Sequence, residues 1–238
     1  MEPELTPETT VATIATSVPG AASLFEQLGI DYCCGGTIPL GQACRKRGLD
    51  PAEVIVRLEA AAQDPAPGGR DWAGMSLADL TANIESAHHQ YLKDELPHMR
   101  HLSRKVAKVH GEAHPELRAL SEEFERFADD MTSHMEKEER VLFPLIRSME
   151  AGRSGGPIAV DHPIRCLMHE HEDAGRSLAA FRSLTGGFSP PMGACNSWRV
   201  LLNDLERLER DTHEHVHKEN NILFPRALAL DAPPRGAA

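Results

Sequence analysis

The chain of 238 residues carries a formal net charge of -11, and its Lys and Arg residues are dispersed, which excludes a nucleic-acid surface. No stretch approaches the roughly 18 apolar residues of a membrane span, and the acidic start Met1 to Glu4 lacks the basic flank of a signal peptide, so a cytoplasmic protein with no membrane partner is expected. Apolar residues at 41% with only 5% aromatics favour helical packing by Leu, Ala, Val and Met, and five cysteines with Cys33 and Cys34 adjacent suit reduced thiols better than a disulfide framework.

Residues 1–64 read as a small helical unit. Thr10 to Leu28 is helix-compatible apart from the break at Pro19-Gly20. Asp31-Tyr32-Cys33-Cys34-Gly35-Gly36 follows, too glycine-rich for a helix and able to present both thiols on a turn. After a short segment from Leu40 to Arg47, Asp50-Pro51 opens a helix to about Gln63, with Asp at the cap and Pro at the first position. Composition turns to linker over 65–75, and residues 231–238 read as a flexible tail.

Residues 76–230 read as four long helices, an all-α up-down bundle. The first runs from Ser76 as N-cap to about His110, with Pro97 expected to kink it; the others cover about 114–150, 161–185 and 194–230. Two of them share a design. Leu117, Leu120, Phe124, Phe127 and Met131 step by three and four to His134 and Glu138, then Val141 and Leu145; Leu201, Leu205, Leu208 and Thr212 lead likewise to His215, Glu219 and Ile222. Each His and Glu stand one turn apart on the apolar face. Burying at least four such groups costs several kcal/mol each unless something compensates, and a metal cluster does so best.

The third helix adds His171 on the stripe Ile164, Leu167, Met168, His171, Gly175, Leu178. In the first helix Leu77, Leu80 and Ile84 lead to His88, whereas Met99, Leu96 and Leu92 lead back to His89, and periodicity does not choose. A mixed set of imidazoles and carboxylates without thiolate suits iron or manganese more than structural zinc. Asp130, one turn before His134, and Glu170, beside His171, are placed to orient ligands or relay protons. His98, His101, His110, His114, His162, His169, His213 and His217 fall off the stripes or near helix ends and read as solvated, and Glu136 and Glu139 as a wet face.

Together, His89, His134-x-x-x-Glu138 before Leu-Phe-Pro, Glu170-His171 and His215-x-x-x-Glu219-Asn-Asn-Ile-Leu-Phe-Pro resemble the hemerythrin-like di-iron fold. Joined to the Asp-Tyr-Cys-Cys-Gly-Gly unit, the chain resembles the Repair of Iron Centers family of iron-sulfur cluster repair proteins over nearly its whole length. The resemblance favours His89 over His88 and implies two iron ions in a bridged centre held by His89, His134, Glu138, His171, His215 and Glu219. It further implies a bacterial cytoplasmic protein acting under nitrosative or oxidative stress, with nitric oxide or oxygen as small ligand and iron-sulfur proteins as clients; it admits a homodimer. Iron donation to damaged clusters and nitric oxide reduction are both implied activities, with Cys33 and Cys34 as soft ligands or reductants. The alternative is a hemerythrin-like oxygen or redox sensor or carrier without repair activity. A ferritin-like oxidase would use Glu-x-x-His pairs; Glu85-x-x-His88 and Glu214-x-x-His217 match that spacing, but His217 lies off the stripe.

Overall fold

Helix signals at the start of the chain work through caps and glycines. In the computed structural model, which describes residues 4–63, 72–153 and 159–231, Thr10 accepts the Thr13 N–H and opens α1 (Val11–Ser17). Gly20 and Gly29, both at positive φ, bracket α2 (Ala21–Leu28). α3 spans Leu40–Arg47 and α4 Pro51–Gln63, where Asp50 accepts the Ala52 N–H at 2.9 Å and Pro51 needs no partner for an absent donor. The expected linker lies outside the described residues over 64–71.

Four long helices follow. α5 covers 77–110 and starts after Ser76, whose hydroxyl accepts the Asp79 N–H at 3.0 Å; it runs through Pro97 without a break. α6 covers 116–150, α7 is Asp161–Leu184, and α8 covers 196–231. α5, α6 and α8 are each interrupted by one π turn, at Glu85–His89, Glu138–Leu142 and Glu219–Leu223. No strand is present among the described residues, and none of these helices is long and apolar enough to cross a membrane. The architecture is all-α, a helical bundle preceded by a small helical region.

By contacts the chain forms two compact units, Met1–Leu80 with His213–Ala238, and Thr81–Thr212. In the first, Val11, Ile14, Phe25, Leu40 and Leu58 are fully excluded from water, and burial of each such side chain contributes about 1.5–3 kcal/mol. In the second, Leu92, Leu96, Met99, Leu120, Phe124, Phe127, Phe181, Leu201, Leu205 and Leu208 form one core. Arg100 pairs with Asp129 at 2.7 Å and Arg104 with Glu125 at 2.5 Å across α5 and α6. These rim pairs add little beside the core. Arg182 of α7 reaches the buried Glu209 of α8 and holds the two helices in register.

Candidate metal centre

The π turns carry three of the candidate ligands: His89 ends the first, Glu138 opens the second and Glu219 opens the third. Proline explains two of them. Pro144 and Pro225 have no N–H to donate and their rings press on the carbonyl four residues back. The turn widens in response, so Phe143 N–H bonds the Glu138 carbonyl and Phe224 N–H the Glu219 carbonyl. No such proline follows the first π turn directly; Pro97 lies well beyond it.

A π turn inserts one residue, and at the first two the buried stripe moves by one place, whereas Ile222 in the third stays buried. Downstream of Glu138 the expected inward residue Val141 is 49% exposed, and Leu142 and Ile146 are buried instead. The same insertion accounts for α5, where the stripe ahead of the turn (Leu77, Leu80, Ile84) and the stripe after it (Leu92, Leu96, Met99) are both buried although they disagree by one residue. On α7, Met168 of the expected stripe is 40% exposed and Ala174 faces inward.

In the Thr81–Thr212 unit, four candidates meet. Glu138 is fully buried, and its Oε2 lies 3.2 Å from His89 Nε2 and 3.3 Å from His134 Nε2. His171 Nε2 stands 3.1 Å from His134 Nε2. Donor atoms of His134, Glu138 and His171 all lie within 4.8 Å of one another, and Glu138 is as close to His89. Phe143 stacks on the His89 ring at 5.6 Å.

The outer faces of two rings are also held. His89 Nδ1 lies 2.8 Å from Glu139 Oε1, which takes Lys93 Nζ at 2.6 Å; His134 Nδ1 lies 3.0 Å from Glu170 Oε2, whose other oxygen takes Lys137 Nζ at 2.5 Å. Hydrogen bonding from His134, then from Lys137, outweighs burial and brings the Glu170 carboxyl down to about 2. Burial pushes Glu139 up, but Lys93 and His89 together hold it below the usual carboxylate range. Both are therefore anions at neutral pH. With Nδ1–H donated outward, the Nε2 lone pairs of His89 and His134 point at the Glu138 oxygen. Lone pairs facing a carboxylate repel unless a cation lies among them, so this donor set fits a bound metal ion.

In the other unit, His215 Nε2 and Glu219 Oε1 are 3.1 Å apart on α8, both fully buried. The Cys33–Cys34 turn is wound around Asp31, whose carboxylate accepts the N–H groups of Cys33, Cys34 and Gly35 at 3.1, 3.0 and 2.9 Å. The two sulfurs are 3.7 Å apart. Cys33 is buried and Cys34 partly exposed. Its hydrogen bond with Cys34, burial and the nearby Asp31 keep Cys33 well above the usual thiol range, in its protonated form. The turn has no room for a side chain at Gly36, where a Cβ would sit 2.7 Å from the Tyr32 carbonyl. Gly36→Ala is expected to destabilise this unit by about 1–3 kcal/mol, read as a lower midpoint in urea unfolding.

Other candidates fall apart from these clusters. His88 is buried, with Nδ1 2.9 Å from Asp211. Asp130 is exposed and lines a pocket of about 150 Å³ together with Phe127, Met131, His134, Lys137 and Glu170. Two readings need correction. Glu139 is no wet-face residue, since it holds His89; its place beside a candidate ligand, like that of Glu170 beside His171, was the available signal. His217 is not solvated. It is 4% exposed, sits 5.3 Å from the Tyr32 ring and bonds Asn221 at 2.8 Å, and burial lowers its pKa to about 4. Its ring partner Tyr32 lies far back in the chain, which the periodicity of α8 alone does not reveal.

The chain matches the Hemerythrin HHE cation binding domain over residues 81–227 and the ScdA_N domain of unknown function over residues 7–62. Curated relatives called iron-sulfur cluster repair protein YtfE are 38% identical in Pectobacterium atrosepticum and 41% in Edwardsiella ictaluri, each over 90% of this chain and 94% of the relative. The relative of that name in Musicola paradisiaca is 36% identical over 94% of this chain and 98% of its own. With both domain matches in the expected order and relatives aligned along nearly its full length, the chain belongs to the Repair of Iron Centers family of iron-sulfur cluster repair proteins.

Proposed function

We propose that His89, His134, Glu138, His171, His215 and Glu219 hold two iron ions, and that the protein repairs iron-sulfur clusters damaged by nitrosative or oxidative stress. The observation that carries this reading is Glu138, fully buried and shared between His89 on one side and His134 with His171 on the other. A carboxylate so placed suits a bridge. The cation-binding match runs through all six residues, which supports treating them as one ligand set. Bound iron would supply one-electron chemistry and open positions for nitric oxide or oxygen, and iron itself would be the cargo delivered to a damaged cluster.

The protein's own groups set the terms for both activities. Glu139 and Glu170 keep the Nδ1 protons of His89 and His134 turned outward, and Lys93 and Lys137 cap those carboxylates at the surface. The pocket beside His134 has an apolar wall of Phe127, Met131 and Ala174 and a polar mouth of Asp130, Lys137 and Glu170, a shape that admits a diatomic gas. Cys33 and Cys34 serve as soft acceptors or reductants, and in the cytoplasm they stay reduced. The bonding of their loop to α8 favours repair over a sensor or carrier that has no use for thiols.

Replacing either outer carboxylate, by Glu139→Gln or Glu170→Gln, is expected to weaken iron binding about 10–100-fold with little change in fold, measured by competition with a chelator. The reading as a whole is tested by reactivation of a nitric-oxide-treated [4Fe–4S] dehydratase with the iron-loaded protein. Wild type is expected to restore activity, and Cys33→Ser with Cys34→Ser to lose most of it while keeping iron. Full repair by the double serine variant would remove the thiols from the mechanism.

A further inference from the structure

Next to Glu219 on α8, Asn220 and Asn221 turn toward the thiol loop. Asn221 Nδ2 donates to the Tyr32 carbonyl at 2.9 Å, and Asn220 Nδ2 donates to the Cys33 carbonyl at 3.2 Å. Both amides, at adjacent positions of the π turn Glu219–Leu223, reach consecutive carbonyls of one loop. His217, one turn earlier, completes the attachment: it bonds Asn221 at 2.8 Å and packs against the Tyr32 ring at 5.3 Å. The loop is thus gripped from its own side by Asp31 and from α8 by two amides.

We infer that Asn220 and Asn221 are positioning residues that hold the Cys33–Cys34 thiols at the ligand-bearing turn of α8, so that thiol chemistry and iron exchange occur at one place. This rests on the repair reading above and adds to it the groups that join its two parts. Amide donors suit the task because they fix a backbone without adding charge beside a buried carboxylate. Two bonds to the carbonyls of adjacent residues also define the loop's orientation, which one bond would leave free to swivel.

The test compares iron-loaded wild type with Asn220→Ala, Asn221→Ala and the double variant, alongside Cys33→Ser with Cys34→Ser. Three quantities are read: iron per chain, the rate at which iodoacetamide labels the Cys33–Cys34 peptide by mass spectrometry, and dehydratase reactivation per iron. Losing two hydrogen bonds should let the loop open about tenfold more often, with labelling faster by a similar factor. Reactivation per iron should fall by about tenfold, since misplaced reacting groups lose rate steeply, while iron per chain stays at the wild-type value. Each single variant should show a smaller change in the same direction. A pair that merely stabilised the fold would lower the melting temperature and leave labelling and reactivation per iron at wild-type values, and that result overturns the inference. If instead the double serine variant repairs clusters as wild type does, the repair reading fails at its thiols; loss of repair in the serine variant with none in the asparagine variants defeats the positioning role alone.

Discussion

Glu138→Ala is expected to reduce bound iron from about two per chain to below one, because in the proposed centre Glu138 would serve both metal positions. The reason lies in its surroundings. Glu138 Oε2 is within 3.3 Å of two imidazole nitrogens, and the residue is fully buried. Removing it leaves His89, His134 and His171 without the anion that would balance two cations, and uncompensated charge in a buried site is costly. The holoprotein should also lose the stabilisation that bound metal gives. A ligand held at a hundred times its dissociation constant contributes about 2.7 kcal/mol, so the melting temperature of the iron-loaded variant should fall by roughly 5–10 °C toward that of the apoprotein. Iron analysis and a melting curve with and without iron check both parts. Equal iron in wild type and variant would show that Glu138 is a core carboxylate only.

Phe181→Ala is expected to have the largest effect on stability at a site away from the candidate ligands. The ring is fully buried, 5.5 Å from Phe127 edge-on and 5.8 Å from Phe124, and Phe124 and Phe127 stand on the helix that carries His134 and Glu138. Truncating a buried Phe costs about 3–5 kcal/mol, transfer and cavity together. For a chain of this size the melting temperature should drop by roughly 10 °C, with iron affinity at 20 °C nearly unchanged in the fraction that stays folded. A drop of only a degree or two would mean that the core collapses around the gap.

The helices were legible because their stripes are long and their caps explicit. Ser76 and Asp50 cap as their neighbours suggest, and the stripe from Leu201 to Thr212 is buried throughout. The candidate ligands stood out for the same reason, as charged groups at positions the period assigns to the core. The register around them was harder to read. A π turn adds one residue, and its trace in a sequence is a pair of stripes that disagree by one. The His88 and His89 ambiguity was that trace, and the misplaced Val141 came from extending one stripe through the turn at Glu138. The roles of Glu139, His217, Asn220 and Asn221 depend on partners about 50 to 190 residues away in the chain, which no local pattern encodes.

The central claim is a pair of irons sharing a carboxylate, and Mössbauer spectroscopy of protein loaded with ⁵⁷Fe tests it most directly. Two ferric ions bridged in one centre would couple antiferromagnetically, so a quadrupole doublet at 4 K that a strong applied field splits only by that field, with no internal magnetic hyperfine splitting, at about two irons per chain, is the result expected of this donor set. Magnetically split spectra from isolated ferric ions, or iron held at one equivalent or less by well-folded protein, would contradict it.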